Sequence, residues 1–176
     1  MYSLEKNISI TKEVVDKAHS MGVCVEGEIG HVGLAREADN NKEDLYTKPE
    51  AARKFCEATG VDALAISIGN AHGEYKSVPK LDINRLEEIR EMTDVPLVLH
   101  GGSGIPDDQL LLAFSKGINK FNLGTEFLRR YYSAVEEYIH SNKSNLDPVK
   151  IIDLPHYVQS KVQPYLENRL RTLCRF

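Results

Sequence analysis

Cysteine is scarce in the 176-residue sequence, and long hydrophobic runs are missing from it. The three cysteines, Cys24, Cys56 and Cys174, are widely spaced and form no metal-ligand motif. They offer no disulfide framework, so we expect a reduced, cytoplasmic protein in which Cys24 and Cys56 are small core residues. No apolar run approaches the roughly 18 residues that a membrane-spanning helix needs, and the polar first residues indicate no secretory signal.

A large excess of charge of either sign is also lacking, since 22 lysines and arginines stand against 26 aspartates and glutamates. The net charge of −4 gives no reason to expect nucleic acid or an anionic membrane as a partner. A Gly-x-Gly-x-x-Gly fingerprint after a first strand is missing as well, which leaves a dinucleotide-binding fold with little support. The length fits one ordinary globular domain.

Short apolar segments alternate with amphipathic segments along the chain. The apolar segments predict strands at residues 23–29, 61–69, 95–100 and 118–123. The amphipathic segments predict helices at residues 11–21, 47–59, 82–92, 106–116, 125–141 and 148–173. The second helix is predicted to begin with a capping box, with Thr47 as the N-cap and Glu50 three residues on. The last helix is predicted to be interrupted near Pro164.

This alternation predicts an α/β fold with a parallel sheet and right-handed crossovers. Four strands could form a small open sheet or part of a (β/α)₈ barrel, which has eight strands. In both architectures ligands bind at the carboxyl ends of the strands. The residues that follow the predicted strands are therefore the candidates for a functional site.

Two of the predicted strands are each followed by a histidine and a glycine, at His72-Gly73 and at His100-Gly101. Neighbouring parallel strands end side by side, so both imidazoles could reach one metal ion. Zinc prefers imidazole nitrogens, and a catalytic zinc takes about three protein ligands. The alternative is that the histidines are two independent polar loop residues.

Two strand-to-helix turns could accept an anion. Gly101-Gly102-Ser103-Gly104 leads into one helix, and Asn122-Leu123-Gly124-Thr125 leads into the next. Free backbone N–H groups and the helix dipole both favour a phosphate at such a place. The alternative is an ordinary turn and an ordinary cap, with Thr125 capping its helix.

Carboxylates mark two further segments of the chain. Glu26 and Glu28 share one face of the first predicted strand, where they could help to hold a cation or could form a salt bridge with a neighbouring lysine. Glu37 lies in a long polar stretch, residues 30–45, which could act as a mobile lid. There it could be a mobile acid or simply a solvated side chain.

Taken together, these motifs resemble the class II, metal-dependent ketose-bisphosphate aldolases. The resemblance covers nearly the whole chain and is most like the tagatose-bisphosphate branch, with the fructose-bisphosphate branch close behind. The segments that carry it occur in the family's order and spacing, at residues 25–30, 46–50, 59–65, 72–76, 97–106 and 122–126.

The resemblance implies roles for the metal and the reacting carbon. His72 and His100 correspond to two zinc ligands, and Glu28 corresponds to a carboxylate that can also reach the metal. Asn122 matches the residue that holds the enediolate oxygens. Glu37 corresponds loosely to the family's mobile acid, because the family's Gly-Gly-x-Glu-Asp motif is altered here.

The resemblance also implies a phosphate site, often assisted by a monovalent cation such as Na⁺ or K⁺. Lys76 matches a basic residue near this site. The residues that match the phosphate-binding turns are Gly73, Gly101, Gly102, Ser103, Gly124 and Thr125.

The implied fold is the C-terminal half of a TIM (β/α)₈ barrel, with residues 1–176 as a single partial domain that ends in a helical tail. The family's third zinc histidine and its neighbouring proton-transferring aspartate have no equivalent in this sequence. The implied reaction is the reversible aldol cleavage of tagatose or fructose 1,6-bisphosphate to dihydroxyacetone phosphate and glyceraldehyde 3-phosphate.

The partners implied are the phosphorylated ketose and either a second copy of the chain or a complementary N-terminal half-barrel. An alternative from a different class is a non-catalytic half-barrel remnant or assembly subunit, which would bind phosphate or metal weakly or need a partner half. A half barrel exposes strand edges that must be covered. The sequence leaves the choice between the sugar epimers open.

Overall fold

The computed structural model describes residues 2–30, 46–73, 75, 78–142 and 148–173. Within these residues the strands are β1 (Glu26–Glu28), β2 (Ala63–Ile66), β3 (Leu97–Leu99) and β4 (Ile118–Phe121). The α-helices are α1 (Leu4–His19), α2 (Pro49–Thr59), α3 (Ile83–Met92), α4 (Asp107–Ser115), α5 (Thr125–Ser141) and α6 (Leu154–Leu173). A 3₁₀ helix, Pro148–Asp153, precedes α6.

The four described strands form one parallel sheet in the order β1-β2-β3-β4. A helix follows each strand before the next one begins, and α1, α2, α3 and α4 pack against one another in sequence. A doubly wound sheet would reverse its strand order at a switch point, and the described strands do not. The predicted α/β fold is confirmed, and consecutive parallel strands are the arrangement of half a (β/α)₈ barrel.

One face of the sheet packs on the helices and is apolar. Phe55 of α2 is fully buried, as are Leu64, Ile66, Leu97 and Leu99 of the central strands. A Cβ atom on Gly27 would lie 2.7 Å from Phe55 Cε1, so the backbone of β1 approaches α2 too closely for a side chain. Burial of these side chains is the main force that holds the helices on the sheet.

The opposite face is charged at its two outer strands. Because side chains alternate along a strand, Glu26 and Glu28 point away from the face on which Gly27 meets Phe55. Glu28 pairs in register with Ala65, Ala65 with Val98, and Val98 with Lys120. Small or medium side chains therefore separate the glutamates of β1 from the lysine of β4.

Several predicted boundaries differ from the structure. The strands are shorter than their apolar segments, because residues at the ends of those segments form the connecting turns. The first helix is α1, which begins at Leu4 rather than at residue 11, with the Ser3 side chain accepting a hydrogen bond from the backbone N–H of Lys6. The predicted interruption at Pro164 is wrong, because α6 continues through it. One missing backbone hydrogen bond does not end this 20-residue helix.

The capping role predicted for Thr47 is also wrong. The N-cap of α2 is Lys48, whose side chain makes no capping hydrogen bond. The buried Thr47 hydroxyl instead donates to the carbonyl of Ile29 and accepts from the N–H of Ser67, at 2.9 Å in each case. Thr47 thus links the chain after β1 to the chain after β2, which leaves its oxygen unavailable to α2.

The two cysteines that the structure describes differ in environment. Cys56 is buried in α2, as predicted, whereas Cys24 is exposed, so its predicted place in the core is wrong. Burial raises the pKa of the Cys56 thiol above its usual value, which keeps it protonated and unreactive.

The chain divides into two compact units, Met1–Leu123 and Gly124–Phe176. The second contains α5 and α6, which pack through the buried side chains of Ala134, Val158 and Val162. Its surface carries an ion pair between Lys161 and Glu137, 2.9 Å apart. None of the helices in the described ranges is long and apolar enough to cross a membrane.

Candidate metal and phosphate site

The two predicted metal-ligand histidines lie at one edge of the sheet. β2 and β3 are parallel neighbours with Ile66 opposite Leu99, and His100 is the residue directly after β3. The ring centroids of His72 and His100 are 6.0 Å apart with their planes inclined by 49°. The His100 side chain is 16% exposed, and His72 is exposed. The predicted meeting of the two imidazoles on a common edge is confirmed.

A buried asparagine holds the two histidine-bearing turns together. The Asn70 side-chain oxygen accepts from the N–H of Ile68 at 2.8 Å. Its amide nitrogen donates to the carbonyl of Ile66 at 3.3 Å and to that of His100 at 3.1 Å. Asn70 therefore fixes the spacing between the end of β2 and the start of the turn after β3.

Tyr75 makes a second link between the same turns. Its hydroxyl accepts from the N–H of Ala71 at 2.7 Å and donates to the carbonyl of Gly101 at 3.0 Å. Burial raises the pKa of the Tyr75 hydroxyl above its usual value, against the lowering effect of the Ala71 hydrogen bond, so it stays protonated and can donate. Asn70 and Tyr75 both stand within three residues of His72, but no motif in the sequence marks them as site residues.

Carboxylates flank both ring nitrogens of His100. Nε2 lies 2.8 Å from Oε1 of Glu26, and Nδ1 lies 3.2 Å from Oε2 of Glu28. The second oxygen of Glu26 accepts from Nζ of Lys120 at 2.7 Å. For Glu26 the alternative of a salt bridge with a lysine is thus confirmed.

The hydrogen bonds from Lys120 and His100 stabilise the ionised form of the Glu26 carboxyl group. Partial burial raises its pKa, but the hydrogen bonds from Lys120 and His100 lower it more, so the pKa of this carboxyl lies below its ordinary value. Glu26 is therefore an anion at neutral pH and a strong hydrogen-bond acceptor for the imidazole.

The glycines of the turn after β3 allow close packing. Gly101 has φ of +64°, and a Cβ there would lie 2.1 Å from the carbonyl oxygen of Ala71. A Cβ on Gly102 would lie 1.6 Å from Cε2 of Phe121. The N–H of Gly102 donates to the carbonyl of Asn122 at 3.1 Å, so this amide is engaged with the chain after β4.

The remaining candidates in the first unit lie beside these turns. Ser103 is buried. The backbone N–H of Asn122 donates to the carbonyl of Leu99 at 3.0 Å, which brings this residue next to the end of β3. Gly73 has φ of +91° with open space where a Cβ would stand, so the positive φ rather than a close neighbour favours glycine here.

The other predicted site residues fall elsewhere. Gly124 and Thr125 belong to the second unit, where Gly124 is the N-cap of α5 without a side-chain hydrogen bond and Thr125 is the first helical residue. The suggestion that Thr125 caps this helix is therefore wrong. Glu37 and Lys76 lie outside the described residues.

The side chains near His100 are of the chemical types that bind zinc, because imidazoles and carboxylates are both zinc ligands. In number they fall short within the described ranges, where no group of three or more histidine, cysteine, aspartate or glutamate side chains is arranged to hold a metal ion. His72 and His100 account for two of the about three protein ligands of a catalytic zinc.

Residues 1–174 match the family described as "Fructose-bisphosphate aldolase class-II". The chain belongs to this family. The YdjI aldolase from Escherichia coli K12 is 35% identical, with a TM-score of 0.81 over 98% of this chain and 58% of that one. The fructose-bisphosphate aldolase of Campylobacter jejuni is 25% identical, with a TM-score of 0.76 over 97% of this chain and 57% of that one. The chain thus spans under three fifths of the length of these two aldolases.

Proposed function

We propose that this class II aldolase chain takes part in the reversible cleavage of tagatose or fructose 1,6-bisphosphate to dihydroxyacetone phosphate and glyceraldehyde 3-phosphate. The observation that carries the proposal is the 6.0 Å separation of the His72 and His100 rings at the ends of adjacent parallel strands. In a chain of this family, two imidazoles at that edge are suited to one shared zinc ion.

His72 and His100 would hold the zinc, with the Glu28 carboxylate beside Nδ1 of His100 as a further oxygen donor. When bound, zinc supplies a Lewis acid for the ketone of the substrate. Asn122 would donate a hydrogen bond to the substrate oxygens that gain negative charge as the carbon–carbon bond breaks. Glu37 would take the proton of the C4 hydroxyl, whose oxygen becomes the aldehyde oxygen of glyceraldehyde 3-phosphate as the C3–C4 bond breaks. The electron pair of that bond would stay on the dihydroxyacetone phosphate fragment, which then needs a proton at C3 from a group outside this set of residues.

The phosphate groups of the substrate would bind at the glycine-rich turns. Gly73 leaves open space at its turn, and Ser103 follows the Gly101-Gly102 pair at the edge that carries His100. A bound Na⁺ or K⁺ and the Lys76 ammonium would offset the phosphate charge. Gly124 and Thr125, which the resemblance assigns to phosphate binding, lie in the second unit, where the N–H groups at the N-terminus of α5 favour an anion.

A second candidate function is an assembly subunit that binds metal or phosphate weakly until a partner completes it. The arrangement of the donors favours it, since the described residues contain no group of three or more histidine, cysteine, aspartate or glutamate side chains placed to hold a metal ion, whereas a catalytic zinc takes about three protein ligands. The partner would be a complementary N-terminal half-barrel or a second copy of the chain. We place the protein in the cytoplasm because a reduced compartment suits the free thiols of Cys24 and Cys56.

The deciding experiment is a cleavage assay with zinc and with both ketose bisphosphates, using a chelator as the control. The 176-residue chain alone should give at most trace cleavage, and an added N-terminal half of a class II aldolase should restore it. Chelator-sensitive turnover of roughly 1–10³ s⁻¹ by the chain alone would contradict the shortage of ligands. Failure of every added half to restore cleavage would contradict the aldolase proposal.

Zinc binding tests the two histidines separately from catalysis. His72→Ala and His100→Ala should each weaken zinc binding by more than the roughly 10–100-fold that loss of an outer hydrogen-bond partner causes. His156→Ala, which changes an exposed histidine of α6, is the matched control. Equal zinc affinity in all three variants would remove the basis for the metal site.

Phosphate binding tests the turn after β3. Ser103→Ala should weaken phosphate binding roughly tenfold or more, because a hydrogen bond to a charged group contributes about 1.5–3 kcal/mol. Ser115→Ala, at the exposed end of α4, is the control. An unchanged phosphate titration in Ser103→Ala would exclude this side chain from the site.

A further inference from the structure

The charged face of the sheet contains a series of contacts through Glu26 and Lys120, two residues to which the resemblance assigns no role. Lys120 of β4 binds one oxygen of Glu26, and the other oxygen of Glu26 meets Nε2 of His100. The contact between Glu26 and Lys120 joins residues 94 positions apart and crosses β2 and β3. We infer that Glu26, fixed by Lys120, is a positioning residue that holds Nε2 of His100 and so presents Nδ1 toward Glu28. The inference rests on the proposed function only in taking His100 as a metal ligand.

The two nitrogens of His100 are not equivalent in this arrangement. Nε2 lies 2.8 Å from Glu26, whereas Nδ1 lies 3.2 Å from Glu28. A neutral imidazole carries one N–H and one lone pair. A proton on Nε2, donated to Glu26, leaves the lone pair of Nδ1 for coordination on the side of Glu28. Partners that fix the tautomer of a metal-binding histidine in this way commonly raise its metal affinity.

An irregularity in the sheet sets the direction of the Lys120 side chain. Leu97 pairs with Ile118, but the next pair is Val98 with Lys120, so β4 carries an extra residue at Asn119. In a regular register Asn119 would stand opposite Val98, and Lys120 would turn toward the helix-packed face. A bulge re-aims the side chains that follow it, and here it places a lysine on the charged face.

The bulge is held in place by its own side chain. Oδ1 of Asn119 accepts a hydrogen bond from the N–H of Leu97 at 3.0 Å. The small side chain of Ala65 and the medium-sized Val98 occupy the register positions between Glu28 and Lys120. Because the side chains on this face of the central strands are short, the long Lys120 side chain can cross them and reach Glu26.

Nuclear magnetic resonance of the ¹⁵N-histidine-labelled, metal-free chain tests the hydrogen bond directly. In mildly alkaline buffer, the His100 Nε2–H proton should give a downfield signal protected from solvent exchange. Glu26→Ala should abolish this signal, and Glu26→Gln should retain it at a shifted position, since glutamine keeps an acceptor oxygen. Lys120→Met should make the proton exchange faster.

Glu28→Ala is the matched control, because it removes the other carboxylate that touches the same ring. The signal should persist in Glu28→Ala. Its absence from the unmodified chain, its survival in Glu26→Ala or its loss in Glu28→Ala would each overturn the inference. Unchanged backbone amide spectra away from the site, recorded on uniformly ¹⁵N-labelled samples, would show that each variant has folded.

Zinc titration supplies the second readout. Glu26→Ala should weaken zinc binding about 10–100-fold, while Glu88→Ala, which removes an exposed partner of Arg85 on α3, should leave it unchanged. Loss of the proton signal with full zinc affinity would show that Glu26 does not position a ligand, and would overturn the inference. If zinc fails to bind the unmodified chain, the metal role in the proposed function fails, and the proton signal still decides whether Glu26 sets the state of His100.

Discussion

The two faces of the sheet differ in polarity and in burial. The face toward α2 and α3 is filled by fully buried apolar side chains, among them Phe55, Leu64 and Leu97. The other face places Glu26 and Lys120 at its outer strands, with the Glu26 side chain 29% and the Lys120 side chain 52% exposed. The first face stabilises the fold through burial, and the second positions charged groups around His100. Substitutions on the two faces should therefore separate stability from site chemistry.

The largest effect is expected on the apolar face. Phe55→Ala should lower the free energy of unfolding by about 3–5 kcal/mol, because it removes buried carbon and leaves a cavity under Gly27. Urea denaturation measures the loss. Lys54→Ala, next to it on α2 and in an exposed ion pair with Glu5, should change the free energy of unfolding by no more than about 0.5 kcal/mol. Equal losses in the two variants would contradict the assignment of the core.

A smaller loss of stability is expected at Thr47, whose hydroxyl links the segment after β1 to the segment after β2. Thr47→Val removes the hydroxyl that serves Ile29 and Ser67, and it leaves two buried backbone groups without this partner. The expected cost is about 1–3 kcal/mol, measured by the shift in the urea midpoint. Thr59→Val is the control variant, because the Thr59 hydroxyl donates to the carbonyl of Phe55 within its own helix, α2. This variant should lose less free energy of unfolding than Thr47→Val.

The charged face should contribute little to stability. Glu26→Gln and Lys120→Met should each change the free energy of unfolding by no more than about 1 kcal/mol, since partly exposed ion pairs gain little over their hydrated state. Thermal unfolding of both variants gives the measurement. A loss as large as that of Phe55→Ala would show that the charged face supports the fold, and the contrast between the faces would disappear.

A hydrogen-bonded carboxylate at the amino ends of the strands, Asp62, provides a test of pH dependence away from the candidate site. The Asp62 carboxylate accepts from His19 at 2.9 Å and from the N–H of Val25 at 2.7 Å, and these hydrogen bonds lower its pKa from the ordinary value for aspartate. A lowered carboxylate pKa adds stability above the ordinary value, and this stability is lost as the pH falls through the folded-state pKa. The free energy of unfolding of the native chain should therefore exceed that of Asp62→Asn by a small but measurable amount near neutral pH. This difference should vanish in acid.

Melting temperatures recorded from about pH 6 down to the lowest pH at which the chain folds would follow this difference. Glu13→Gln, on the exposed side of α1, provides a reference carboxylate. A difference between the native chain and Asp62→Asn that stays constant through the acid range would contradict the assigned contacts.

Much of the fold was predictable, because the alternation of apolar and amphipathic segments is a local property. Each strand and each long helix was expected near its place, and α5 was expected over the residues it occupies. The boundaries of helices were less predictable where a residue at the helix end forms hydrogen bonds with residues far away in the sequence. Thr47 matches a capping box in sequence, yet its hydroxyl binds Ile29 and Ser67, which are 18 and 20 residues away.

The site was predictable in part for the same reason. His72 and His100 each stand with a glycine after a strand, and parallel pairing of β2 with β3 follows from the pattern. Asn70 and Tyr75 carry no comparable signal, because their hydrogen bonds to the turn after His100 span 30 and 26 residues. Only the folded chain brings those donors and acceptors together.

The sequence by itself determined the parallel α/β arrangement, the strand-end histidines and membership of the class II aldolase family, since these depend on local periodicity and on motifs in a fixed order. The tertiary structure decided which nitrogen of His100 meets which carboxylate and on which face Lys120 lies. Those features depend on the register between β3 and β4, where one extra residue at Asn119 reverses the direction of the side chain that follows. Register is a relation between strands, and no local pattern contains it.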